Sequence, residues 1–181
     1  MDDSHVIARL REQLTNLCGL FALSLLLHGR VEDDEILELV VSAVPALGPC
    51  RVEGAYLIRD ETRRNGNRPS PGSDPGLRTQ LDALAGADGQ LTLTTTGWAW
   101  AYPLRGLGRH CGYLVVSAPA APSPNEQFLI GTLAQQAGAA LNSAASYRNE
   151  RSTSQKLRQQ IRQLTKRGRR AGHGTSPPTR Q

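Results

Sequence analysis

Residues 98–147 read WAWAYPLRGLGRHCGYLVVSAPAAPSPNEQFLIGTLAQQAGAALNSAASY, and how they are read decides the fold. Trp98, Trp100, Tyr102 and Leu104 fall on one side of an extended chain, and Ala99, Ala101 and Pro103 on the other. That alternation predicts a strand with one bulky and one small face. RGLGRH is a turn leading into a second strand, Cys111–Ala118, antiparallel to the first by hairpin logic. PAAPSP then ends the sheet. A long helix is expected from Ser123 or Pro124, capped by Ser123 or Asn125. Phe128, Leu129, Leu133, Ala137, Ala140, Leu141 and Ala144 form its apolar band. The small sheet face suits close approach by helix backbones, and the bulky face suits a cavity lining or a core.

Upstream, Val6, Leu10, Leu14, Leu17, Phe21 and Leu25 recur at helical spacing. Toward Leu27 this helix is apolar nearly all round, so more than one of its faces must be covered. A second helix starts in the acidic run Glu32–Glu35, where unpaired N–H groups favour negative charge. Ile36, Leu39, Val40, Ala43, Val44 and Leu47 are its buried stripe, and Gly48-Pro49 stops it. A strand is predicted over Val52–Arg59, with Val52, Gly54, Tyr56 and Ile58 on one face. A polar, turn-rich segment (60–76) follows. Next come a short helix to Leu84, with Leu77, Leu81 and Leu84 inward, and a modest strand over Gln90–Thr96. Beyond Tyr147 the sequence is polar but helix-compatible. Leu157, Ile161 and Leu164 keep a seam of under two heptads, short of a sustained coiled coil.

Charge is distributed unevenly. Residues 1–147 hold eleven Lys and Arg against fifteen Asp and Glu, whereas residues 148–181 hold ten Lys and Arg against Glu150 alone. The body is mildly acidic and the end strongly basic. Such an end attracts nucleic acid or anionic lipid, or is simply solvated. For contact with DNA, the candidates are Arg162, Lys166, Arg167, Arg169 and Arg170. Three cysteines, Cys18, Cys50 and Cys111, make no C-x-x-C pair, which suits a reducing cytoplasm. Cys18 and Cys50 are expected as buried thiols. The acidic start MDDSH lacks the positive charge of a signal peptide. The richest apolar run, Leu17–Leu27, has 11 residues, against the roughly 20 a membrane-spanning helix needs. A cytoplasmic protein without a membrane anchor is expected. No Ser/His/Asp set, zinc pattern or phosphate loop is present, and Gly106-Leu107-Gly108 lacks the further glycine and helix of a dinucleotide site. The expectation is that the chain is not an enzyme.

The element order, with YPLRGLGRHCGYLVVS (102–117) followed by FLIGTLAQQAGAALNSA (128–144), resembles the GAF domain family. The shared marks are Pro103-Leu104 at a strand end, Gly112 opening the next strand, and Leu133-Ala134-x-Gln136 through Ala140-Leu141 in the exit helix. The flanks resemble the N-terminal sensory region of actinobacterial PucR-type regulators. Those continue into a helix-turn-helix region, whereas here a basic tail follows, so the expectation is either a free-standing module with an output partner on another chain or a shortened relative. The resemblance implies an α+β fold: a central antiparallel sheet with the N- and C-terminal helices on one face and ligands, when present, on the other. The resemblance covers a sensory domain (31–147); the expected divisions around it are a helix for dimerisation (1–30), a polar helical extension (148–166) and, from its composition, a disordered basic tail (167–181). The function implied is sensing or dimerisation in signal transduction or transcriptional control. A ligand-free scaffold and a nucleic-acid-associated regulator are the alternatives.

Tyr56, Trp98, Trp100 and Tyr102 are the candidate lining of a pocket for a small ligand of unknown identity. Plain core packing is the competing reading. His110 and Cys111 are a possible redox or metal pair. The N-K-x-F-D-E pattern of cyclic-nucleotide-binding members and a helical Cys-His bilin pair are both absent, and the cofactor is unknown. A homodimer is expected, with Leu17, Phe21, Leu25, Leu133 and Ala137 at its interface.

Overall fold

A computed structural model describes residues 3–58, 75–93 and 97–171. In chain order the elements are α1 (Asp3–His28), α2 (Asp33–Leu47), β1 (Arg51–Leu57), α3 (Pro75–Ala83), β2 (Gly89–Gln90), β3 (Trp98–Gly106), β4 (Arg109–Ala118) and α4 (Pro124–Ala171). The fold is α+β. The four strands among the described residues form one antiparallel sheet in the order β1-β4-β3-β2. The β3–β4 hairpin closes through Leu107 and Gly108, both at positive φ (41° and 78°). That is a type I′ geometry, whose twist matches the flanking strands. The expected strand over Gln90–Thr96 is reduced to β2 and one further backbone bond, from Leu91 N–H to the Ala99 carbonyl. Thr94–Thr96, and the end of the strand expected to reach Arg59, lie outside the described residues.

Two apolar clusters lie on opposite faces of the sheet. The larger holds Trp98, Tyr102, Leu104, Leu114 and Val116 against the buried sides of α1, α2 and α4. The smaller holds Ala99, Ala101, Tyr113 and Val115 with Leu77, Leu81 and Leu91. Of the two readings of the bulky face, core filling is the one that holds: helices α1, α2 and α4 cover that face, and α3 covers the small one. The bulky face supplies the volume to fill the gap beneath three helices.

A bulge between Val52 and Gly54 causes a correction. Val52 pairs with Val116 on the larger-cluster face, and Tyr56 pairs with Tyr113 on the other. The extra residue, Glu53, reverses the side-chain alternation downstream, so Val52 and Tyr56 do not share a face. The Glu53 carboxylate accepts a 2.6 Å hydrogen bond from the otherwise enclosed Ser117 hydroxyl.

Helix α2 buries Ile36, Val40, Ala43 and Val44, as its spacing requires. Helix α4 opens with a reciprocal cap. The Glu126 N–H donates to Ser123 Oγ (3.3 Å) and the Ser123 N–H to Glu126 Oε2 (2.7 Å), with Pro124 at the first helical position. This satisfies two of the unpaired N–H groups of a helix start. Farther along, Gly138 meets the backbone of Leu104 and Arg105, and a Cβ there would overlap the Arg105 nitrogen.

The chain divides into two compact units, Met1–Ala144 and Ala145–Gln181. Helix α1 lies within the first unit, and α4 runs to Ala171. Leu133 and Ala137 are enclosed in the first unit's core. They cannot form the subunit interface expected of them. Leu17, Phe21 and Leu25 are instead exposed, as are Leu14 and Leu26, because α1 turns Leu20, Leu23 and Leu27 to the core. Cys18 is exposed beside them, contrary to expectation, while Cys50 is buried.

Candidate functional site

The α3 side of the sheet carries the polar arrangement of most interest. After α3 the chain turns through Ala85 and Gly86, both at positive φ. The Gly86 N–H donates to the Tyr113 hydroxyl at 2.6 Å, a buried bond. The Gly86 carbonyl accepts from the Arg105 guanidinium, through Nε at 3.1 Å and a terminal nitrogen at 2.5 Å. Both backbone groups of one loop residue are thus held by side chains of β3 and β4. Bonds from a charged donor are roughly twice as strong as neutral ones. The His110 ring stands edge-on to Tyr113, centroids 4.5 Å apart, and beside Gly86. Its Nε2 is enclosed and has no hydrogen-bond partner among the described residues. Burial, chiefly, holds the His110 pKa below its ordinary 6.5; a backbone hydrogen bond with Gly112 opposes this and the Arg105 charge adds to it. The ring is therefore neutral near pH 7 and can accept or donate a hydrogen bond.

Beside this clamp Ala99, Ala101 and Val115 are buried in one cluster with Leu77, Leu81 and Leu91, and Tyr56 packs at its margin. Helix α3 is pinned to the adjoining chain by Gln80. Its side-chain amide donates to the Thr92 carbonyl (3.1 Å) and accepts from the Thr92 N–H (2.7 Å), as a neighbouring strand would.

The residues expected to line one pocket are split between the two faces. Tyr56 lies on the α3 side. Trp98, Trp100 and Tyr102 lie on the opposite face among residues of α1, α2 and α4. Trp98 and Trp100 are stacked, with centroids 6.0 Å apart and planes 9° from parallel. The Tyr102 hydroxyl is buried without a partner among the described residues, and burial above all pushes its pKa up to about 12. On that face the aromatic row packs as core.

His110 and Cys111 also diverge. The Cys111 side chain packs at the margin of the larger cluster, and burial raises its pKa, which disfavours a reactive thiolate. No group of three or more His, Cys, Asp or Glu able to hold a metal occurs among the described residues. Arg162 is exposed in the second unit; Lys166, Arg167, Arg169 and Arg170 lie on the helical backbone of α4 beyond it. No helix among the described residues is long and apolar enough to cross a membrane.

Arg105, Tyr113 and Gly86 were not singled out from the sequence. Arg105 reads as a turn-flanking cation and Gly86 as one of several loop glycines. Their meeting depends on β3, β4 and the loop after α3 converging, across 19 and 27 residues of chain. Compared with known families and with curated proteins, the chain matches no family model and no curated sequence.

Proposed function

We propose that this chain is a non-catalytic, GAF-type sensory module that works as a homodimer and takes a small ligand on the α3 side of its sheet. The observation that carries the reading is the unequal covering of the two sheet faces. Three helices pack on one face, whereas the other carries a nine-residue helix over small buried side chains and a polar clamp around Gly86. A site of this kind combines apolar walls with a few fixed polar groups. The clamp also touches the output side. The Arg105 side chain holds Gly86, and its backbone meets Gly138 of α4. A ligand that competes for the guanidinium would act on the hairpin against which α4 is seated, within the limit of its differential affinity for the two states. The homodimer is supported by the exposed apolar stripe of α1, which a second copy would cover.

Native mass spectrometry of the freshly purified full chain tests both halves. A dimeric mass carrying a small-molecule adduct is expected, with the adduct lost in Arg105→Ala. A dimer that retains the same adduct in Arg105→Ala would remove the clamp from the site. A monomer without an adduct at micromolar concentration would overturn the whole reading.

A further inference from the structure

The second unit, Ala145–Gln181, carries chemistry that the sensory reading does not use. Between residues 145 and 171 the sequence holds nine Lys and Arg against one acid, Glu150, and this stretch is helical. Arg151, Gln155, Arg158, Arg162, Lys166 and Arg169 follow at steps of four, three, four, four and three. At 3.6 residues per turn these positions fall within an arc of about 80°, a single row roughly 27 Å long. Arg151, Gln155, Arg158 and Arg162 are exposed, and positions 166 and 169 continue the row along the backbone. Leu157, Ile161 and Leu164 lie roughly a third of a turn round the helix, each more than half exposed.

We propose that this row is a phosphate-reading face for double-stranded DNA. Like charges at (i, i+4), as in Arg158, Arg162 and Lys166, destabilise an isolated helix by a few tenths of a kcal/mol per pair. A regular array of anions reverses that sign. Seven of the nine cations are arginine, whose planar fork grips phosphate oxygens in pairs where lysine acts as a point charge. Gln155, within the row, adds a neutral donor of the type that positions a protein on a duplex backbone. Single-stranded nucleic acid is the poorer fit, because its binding surfaces need aromatic platforms and residues 148–181 contain no Phe, Tyr or Trp. An anionic bilayer fits poorly as well. A helix lying in a membrane interface buries a broad apolar face with aromatic anchors, and three aliphatic side chains do not make one. Since phosphate contacts carry no base information, the binding is indifferent to sequence.

The test uses the full chain and a mixed-sequence DNA duplex, followed by fluorescence anisotropy across a salt series. Wild type should bind with log K falling linearly in log salt. The triple variant Arg151→Gln/Arg158→Gln/Arg162→Gln should reduce that slope by about 2.7, near 0.9 for each phosphate that is no longer neutralised. Glutamine is a good helix former, so circular dichroism should show the helix retained. Lys156→Gln, off the row, should leave the slope nearly unchanged. The proposal is overturned if wild type fails to bind at low salt, if the triple variant keeps its slope, or if Lys156→Gln lowers the slope as much per charge. Binding to phosphatidylserine vesicles that excess duplex does not compete away would also overturn it. None of these outcomes depends on the sensory reading.

Discussion

Gly112 shows how much a single position is asked to do. It sits in β4 between β1 and β3, paired with Leu57 and Leu104, at φ +152°. A Cβ there would overlap the Tyr56 carbonyl oxygen and crowd Leu57. Only glycine lets the three backbones close at this point. Gly112→Ala is expected to destabilise the fold by about 3 kcal/mol or more, measured as a lower urea midpoint with an unchanged slope. Its neighbour His110 predicts a pH effect. The folded ring has a lowered pKa, so the unfolded chain takes up the proton more readily. The contribution of the neutral ring is intact above its ordinary 6.5 and is lost as pH falls below that value, through the folded pKa. Thermal melts between about pH 7 and about pH 5 should fall more steeply for wild type than for His110→Gln. Parallel curves would remove His110 from the account. Gly112 could be picked out in the sequence by resemblance, but the reason for it could not, because the carbonyl it avoids belongs to another strand. The buried hydroxyl of Tyr102 and the bulge at Glu53 were likewise invisible. Both arise from what lies opposite, and no local pattern encodes that.

At the scale of elements, helix positions followed well from periodicity, and the α4 start could be read from Ser123, Pro124 and Glu126 together. Which face of a helix meets the core was harder to read. Helix α1 offers apolar side chains nearly all round, and spacing alone cannot rank its faces. Leu20 and Leu27 are buried, while Leu17 and Phe21 stand 56% and 67% exposed. This leads to a prediction about α1 as a subunit contact. Phe21→Glu should halve the mass seen by light scattering at micromolar concentration while leaving the circular dichroism spectrum unchanged, because Phe21 is largely exposed on its own chain. Wild type that is already monomeric would show that the stripe is not a subunit contact. Cys18, exposed on the same helix, gives an independent reporter through oxidative cross-linking.

For the whole molecule, amino-acid order alone determined the hairpin, the helix–helix–strand opening, the long last helix and the charge contrast between body and end. These depend on side-chain period, turn chemistry and capping, all of which act over a few residues. The GAF resemblance rests on the same local marks. Only the tertiary structure decided which sheet face the helices cover. It turned the aromatic row Trp98, Trp100 and Tyr102 into core and moved the candidate site to the opposite face, around Gly86, Arg105 and Tyr113. The physical reason is that alternation along a strand distinguishes two faces without saying which is inside. That choice is made by volume: three helices packed on one side need large side chains to fill the gap beneath them. One bulged residue, Glu53, was enough to send Tyr56 to the other side.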